Sequence, residues 1–475
     1  MDRTTAWLRD QIAECSPGPG RSPWLADKLA AATESIWRAS GMVFGMVVPA
    51  RLADRDVLVD ECAAALKQWL PLIDNVEILQ RIGDLERRTN VPLDAEAYIA
   101  KVKAADEVRL AAKREAARKL EPRNAALERA IDEHPEDLAG YSVLADWLEA
   151  HGAARGALIH LCLRAEADPA LVPEVASYVE AHRAELLSDD EEFAPSLTWR
   201  RGYVHAARFS NDSDVAPDVE HLLQHPSGRR LAELSIGMNG ESRGFDLSEI
   251  VTTIVDEQPR YLRSLHLGDF EYPDDTEMSW YDVGDISALW PAVPGLTKLI
   301  VQGGSFVLGT IDLPALEHAE FRTGGLTSAS ALAIANATWP KLQRLDVWYG
   351  GSAYGGDSTL RDVRALLARR DLTELRHLGL MNSEHSDAIC ELLVTSPLSA
   401  KLEVLDLSLG TLGDQGARVL LANHQCFPQL QRLIISSSWV SDEVIAELEA
   451  FGPSVIAEDM NEPADRDDRY ISVRE

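Results

Sequence analysis

Cysteine is scarce in this chain, and long apolar runs and metal-ligand motifs are missing from it. The five cysteines, Cys15, Cys62, Cys162, Cys390 and Cys426, are scattered, with no Cys-x-x-Cys and an odd total. That pattern excludes a disulfide framework and a cysteine zinc site, and it fits a reducing compartment. The opening Met1-Asp2-Arg3-Thr4-Thr5-Ala6-Trp7 has no apolar stretch of the kind a signal peptide needs. The most apolar run, residues 41–50, is about half of what spans a bilayer and reads as core. A cytoplasmic chain that does not enter membranes is the expectation. There is no G-x-x-x-x-G-K-[ST], G-x-G-x-x-G or H-E-x-x-H. No Cys–His or His–His spacing suggests a metal, and the 12 histidines are dispersed. The expectation is therefore no enzyme, with no catalytic residue, cofactor or metal.

Positive charge is also in short supply. The formal net charge is −31 over 475 residues, with 46 Lys+Arg against 77 Asp+Glu. Residues 1–120 hold 18 of each sign, so the whole excess lies beyond them. Such a field repels phosphate backbones and anionic lipid, which argues against nucleic acid and membrane surfaces as partners. At 475 residues the chain should hold two or three folding units.

What the sequence does have is a repeat. The pattern L-x-x-L-x-L, with other apolar residues at some positions, recurs eight times, from Leu231, Leu262, Leu296, Leu316, Leu342, Leu375, Leu402 and Leu430. Successive copies lie 31, 34, 20, 26, 33, 27 and 28 residues apart. The closing Leu-x-Leu alternates with period 2, so it is a short strand with its apolar side turned in. Between strands, residues 326–337, 359–369, 386–395, 413–423 and 441–450 carry apolar side chains at helical spacing. One strand and one helix cannot bury their own faces. Stacking them in parallel shares a continuous leucine core and bends the array.

These residues resemble the leucine-rich-repeat superfamily, in the strand-plus-helix form of ribonuclease-inhibitor-like proteins, over roughly half the chain. The stretches LRHLGLMNSEHSDAICELL and KLEVLDLSLGTLGDQGARVLL are similar to a family of bacterial cytoplasmic leucine-rich-repeat proteins of undefined biochemical role. Two departures stand out: Ala319 replaces a core Leu, and the Asn after the strand, present at Asn382, is missing from most copies. The resemblance implies an α/β solenoid, a horseshoe with parallel strands on the concave side and helices on the convex side.

Upstream, AIDEHPEDLAGYSVLADWLEAHGAARGALI resembles the repeat-companion domain of myxobacteria and planctomycetes, carried by Ala145-Asp146-Trp147-Leu148-Glu149 and Arg155-Gly156. No activity comes with that resemblance. Trp147 reads as a core anchor, and Asp146 and Arg155 as structural pairing residues. The domains expected are a helical region of unknown type over 1–120, a helical companion domain over 121–195, a capped repeat solenoid over 196–457 and an acidic tail over 458–475. Within the first, helices are expected at 24–39, 54–70 and 94–120. Residues 196–209 alternate like a capping strand, and 454–456 like the last one. In the tail, 458–468 reads as a solvated face and 469–475 as a segment returning to dock.

Binding is expected on the outward rows of the sheet. The first row is Glu233, Ser264, Lys298, His318, Arg344, His377, Val404 and Arg432. The second is Ser235, His266, Ile300, Glu320, Asp346, Gly379, Asp406 and Ile434, and the third Gly237, Gly268, Gln302, Arg322, Trp348, Met381, Ser408 and Ser436. The first row is mostly basic or His from Lys298 to Arg432 despite the acidic whole. Trp and Arg are the residues that most often carry interface energy. Trp348 flanked by Arg322, Arg344 and His377 would suit a partner segment with acidic and apolar groups. The Gly-rich insertion with Tyr349 and Tyr354, and the insertion 270–285 with Trp280 and Tyr281, read either as aromatic contact loops or as structural packing. The leading expectation is a protein-binding module acting as regulator, inhibitor or adaptor, with its oligomeric state open. One alternative is a signalling or defence component cleaved at a linker such as 120–124 or 187–195. The other is an enzyme with an unrecognised site in residues 1–118.

Overall fold

The computed structural model describes residues 94–475, apart from 109–120, 188–192, 240–246 and several shorter stretches. Two compact units emerge, Met1–Ala116 and Ala117–Glu475. In the first, residues 95–102 are helical, while the helices expected at 24–39 and 54–70 lie outside the described residues. Of the two linkers expected to be cleavable, 187–195 lies largely outside them, while 120–124 is described from Glu121 on, where Glu121 is buried and pairs with Arg155.

The second unit opens with helices α1 (Ala125–Glu133), α2 (Leu138–Ala150), α3 (Ala154–Ala167), α4 (Val172–Ala181) and α5 (Arg183–Leu186). Asn124 and Asp137 start α1 and α2 by accepting backbone N–H groups with their side chains, satisfying donors that a helix start leaves open. Gly156 lets α3 approach α2: a Cβ there would stand 2.6 Å from the Ala145 carbonyl. Ile131, Tyr141, Leu144, Leu148, Ile159 and Tyr203 form the local core. Trp147 is only half-buried and stacks on His151 at 4.0 Å, so it borders this core instead of anchoring it. Asp146 meets His160 at 3.0 Å and not Arg155. Arg155 turns inward and donates to Glu121 Oε1 at 2.6 Å, the Gly202 carbonyl at 2.6 Å and Ser227 Oγ at 2.9 Å.

The repeats build an eleven-stranded sheet. Its strands are β1 (Ser196–Arg200), β2 (Tyr203–Asn211), β3 (Glu233–Asn239), β4 (Ser264–Leu267), β6 (Lys298–Gln302), β8 (His318–Arg322), β9 (Arg344–Gly350), β10 (His377–Ser383), β11 (Val404–Asp406), β12 (Arg432–Ile434) and β13 (Ser454–Ile456). A separate pair consists of β5 (Asp282–Asp285) and β7 (Ser305–Val307). β1 and β2 form an antiparallel hairpin, so the strand expected at 196–209 is in fact two. From β2 onward every neighbour in the large sheet is parallel. Leu234, Leu265, Leu299, Ala319, Leu345, Leu378, Leu405 and Leu433 share one register line. All are buried, and each leucine contributes about 2 kcal/mol of hydrophobic stabilisation.

Helices α6 (Ala216–Gln224), α7 (Ser248–Glu257), α8 (Ser328–Asn336), α9 (Leu360–Leu367), α10 (Ser386–Val394), α11 (Asp414–Ala422) and α12 (Asp442–Glu449) return the chain between strands. Val219, Ile250, Ile334, Val363, Ile389, Leu420 and Val444 lie in the same core as the strand leucines, so the helices cover one face of the sheet. The core also takes in Leu158, Cys162, Val175, Val179 and Leu186. Helices α3 to α5 therefore share a core with the repeats, while α1 and α2 pack in the local one.

Two stretches depart from the plain repeat. The insertion 270–285 folds inward, burying Met278, Tyr281 and Val283, and β5 pairs with β7 of the next repeat. The tail also docks, as expected from 469 on. Asn382 Nδ2 donates to the Val473 carbonyl at 2.9 Å and Val473 N donates to Asn382 Oδ1 at 3.0 Å. Arg469 Nη1 reaches Asp387 at 2.9 Å, and Ile471 is buried.

Candidate protein-binding face

The leucines fix which side chains are left on the other face. Glu233, Ser264, Lys298, His318, Arg344, His377, Val404 and Arg432 are mutual Cα partners from β3 to β12, so the first outward row is continuous. The second row runs from Ser235 to Ile434 in the same register. In the third, Gln302 pairs with Arg322 and Trp348 with Met381.

The face is a lattice of ion pairs. Arg344 Nε donates to Asp346 Oδ2 at 2.6 Å, and His377 Nε2 lies 2.8 Å from Asp346 Oδ1. Arg322 Nε donates to Glu320 Oε1 at 2.7 Å and its Nη1 to Gln302 Oε1 at 3.0 Å. The Arg322 guanidinium also stands 5.9 Å over the Trp348 ring. Burial would raise the Asp346 carboxyl, but hydrogen bonds from His377 and Arg344 outweigh it and hold it below the usual range. Burial lowers His266 and His318 to about 4, the Arg344 charge helping at His318, so both imidazoles are neutral at pH 7.

Among the described residues, four of the buried polar atoms without a hydrogen-bond partner are His266 Nε2, His318 Nε2, Trp348 Nε1 and Ser408 Oγ on this face; Glu121 Oε2 and Trp339 Nε1 lie elsewhere. Buried polar groups are normally satisfied, because leaving one unpaired costs about 1–3 kcal/mol. A His and two carboxylates, His318, Glu320 and Asp346, come close enough to share a cation. Both carboxylates, however, are already engaged by Arg322, Arg344 and His377. We read that cluster as part of the ion-pair lattice.

Of the residues singled out in the sequence, Lys298, Arg344 and Arg432 are exposed, while Arg322, Trp348, His377 and Tyr354 are half-buried. Trp280 is 52% exposed at the edge of the insertion. Two expectations fail. Tyr281 is fully buried and its hydroxyl donates to the Gly237 carbonyl at 2.7 Å, because the insertion packs across its neighbours. Tyr349 is 5% exposed, because β9 continues its alternation so that Leu345, Val347 and Tyr349 all point into the core. Nor is the first row a strip of free cations: Arg344 and His377 share Asp346. The carboxylates that balance the face, Glu320, Asp346 and Asp406, were passed over as candidates, although the second row places each beside the first.

No family model matches the chain, and no curated protein does. Solved structures are similar to it. A Bacteroides fragilis protein determined as a structural genomics target shares 27% identity with a TM-score of 0.50, over 54% of this chain and 74% of that one. An internalin from Listeria monocytogenes shares 17% identity with a TM-score of 0.30, over 53% and 66%. The in-register parallel sheet, with helices returning the chain between its strands, defines an α/β repeat solenoid. Among the described residues no helix is long and apolar enough to cross a membrane.

Proposed function

We propose that this chain is a non-enzymatic, cytoplasmic protein-interaction module. Its helix-free sheet face, taken as the concave side of a horseshoe, binds a protein partner, and the module acts as regulator, inhibitor or adaptor. The observation that carries the reading is the set of unpartnered polar atoms on that one face, at His266, His318, Trp348 and Ser408. The same atoms on a finished surface would be paired within the protein or freely hydrated, whereas a partner seated there supplies what they lack. Trp348 under the Arg322 guanidinium is the central anchor, suited to an acidic and apolar segment, with Lys298, Arg344, His377 and Arg432 along the row and Trp280 and Tyr354 at the margins.

The test combines Trp348→Ala with Arg344→Glu in the full chain. Affinity capture from native cytosol, with mass spectrometry, should recover a partner with the wild type and lose it with the double variant, while circular dichroism stays unchanged. A partner held equally by both proteins removes the open face from consideration.

A further inference from the structure

We infer that the strand ends of β10 to β12 form a seat for an extended peptide, which the chain keeps filled with its own residues 469–473. The competitor for that seat is a partner segment with a Lys or Arg followed, two and four residues on, by aliphatic side chains. The seat lies beyond the outward rows and does not depend on the open-face reading.

The repeats build the seat. Asn382, Leu409 and Ser437 each stand seven residues after the leucine that opens their repeat, Leu375, Leu402 and Leu430. All three have left-handed backbone, with φ of 50°, 68° and 53°, which residues other than glycine seldom adopt. All three hold the tail. Asn382 Nδ2 donates to the Val473 carbonyl at 2.9 Å, and its Oδ1 accepts from Val473 N at 3.0 Å. Ser472 N donates to the Leu409 carbonyl at 2.8 Å, and Ser472 Oγ to the Ser437 carbonyl at 3.4 Å. Trp439 Nε1 donates to the Tyr470 carbonyl at 3.1 Å. Apart from the Ser472 hydroxyl, each of these bonds is to the tail's main chain and does not depend on its sequence.

Selectivity comes from alternation. Ile471 and Val473 are buried and Arg469 nearly so, while Tyr470 and Ser472 between them are exposed. Arg469 Nη1 donates to Asp387 Oδ2 at 2.9 Å and to the Thr411 carbonyl at 3.3 Å. Gly413 makes room for it, since a Cβ there would stand 2.1 Å from Arg469 Nη1. Asp387 is itself fixed, its Oδ1 accepting from Gly413 N at 2.9 Å and Gly416 N at 3.1 Å. Main-chain bonds for affinity, with alternate side chains in pockets for selectivity, are how folded proteins take up an extended peptide.

Two features mark the occupant as exchangeable. The tail runs back from Trp439 toward Gly351, where an added Cβ would meet Ile471 Cδ1 at 3.2 Å. That direction leads away from β13. A tail that served to close the array would cover β13, yet Ser454, Val455 and Ile456 stay exposed or half-buried. Residues 461–465, which lead into the tail, belong to no helix or strand. Emptying the seat leaves Asn382, Asp387 and Trp439 buried without their tail partners, which favours refilling by a competitor.

The test uses the full chain carrying Ile471→Asp and Val473→Asp, which frees the tail. Random display-library peptides that bind this variant, and bind the wild type about tenfold more weakly, should share Lys/Arg-x-aliphatic-x-aliphatic. A synthetic peptide of residues 468–473 should displace them. Replacing their basic residue by Ala should weaken binding on the order of tenfold, and should no longer do so once Asp387→Asn is added. A second protein keeps the test open where the freed variant does not fold: the otherwise wild-type full chain with a protease site placed at 462–465. Once cut, its tail should exchange for a labelled 468–473 peptide faster than the protein unfolds. A library that yields no such peptides, peptides without the pattern or not displaced by 468–473, a basic residue whose contribution survives Asp387→Asn, or tail exchange no faster than unfolding each overturn the seat. None of these results touches the open-face reading, whose residues lie outside the seat.

Discussion

The two faces of one sheet obey different rules. On the helix-covered face each strand contributes the same kind of residue to the same line, and Leu265, Leu299, Leu345, Leu378 and Leu405 are all fully buried. On the open face no row keeps to one residue type, carboxylates lie beside guanidinium groups, and donors such as Trp348 Nε1 are buried without partners. Hydrophobic burial is non-directional, so one residue type repeated serves it. Polar satisfaction is directional, so each polar side chain needs its own arrangement of neighbours.

Substitutions on the two faces should therefore separate widely. Leu378→Ala, which empties a site in the middle of the leucine line, is expected to cost about 3–5 kcal/mol in chemical denaturation. Acidification comes next. His225, His266 and His318 are held by burial at about 3, 4 and 4, below the ordinary 6.5. Because the folded values are the lowered ones, the stability they allow is complete above pH 6.5 and lost as pH falls toward 4, on the order of 3 kcal/mol for each group. Denaturation midpoints at neutral and acid pH check this: His318→Gln should lose less stability than the wild type over that interval, and an equal loss contradicts the assignment. Smallest is Arg344→Ala, on the strand next to Leu378 but on the other face. Its guanidinium is half open to water, but Asp346 is buried and is left with His377 alone, so the expected cost is about 1–3 kcal/mol. A loss as large as that of Leu378→Ala would erase the distinction between the faces.

Much of this was legible in the residues. Period-2 alternation with a leucine anchor located all eight repeat strands and their register, because a one-residue slip would turn every leucine to the wrong face. The helices at 328–336, 360–367, 386–394, 414–422 and 442–449 fall inside the stretches marked by apolar spacing. Tyr349 was readable and was misread: Leu345, Val347 and Tyr349 continue one alternation, but the glycines that follow look like a loop. Tyr281 was not readable, since its burial depends on β5 pairing with β7, a contact that no local pattern in an acidic segment announces. The ion-pair lattice lay between these cases. Arg344 and Asp346 sit at i and i+2 on one face, which places them together, but only coordinates show which carboxylate His377 shares.

Hydroxyl-radical footprinting of the captured complex tests the central claim most directly, because Trp348 and Met381 lie on the open face and Leu332 is exposed on the helix side. The account predicts that partner binding protects Trp348 and Met381 from oxidation while Leu332 reacts as in the free protein. Protection of Leu332 with Trp348 and Met381 unchanged would contradict it.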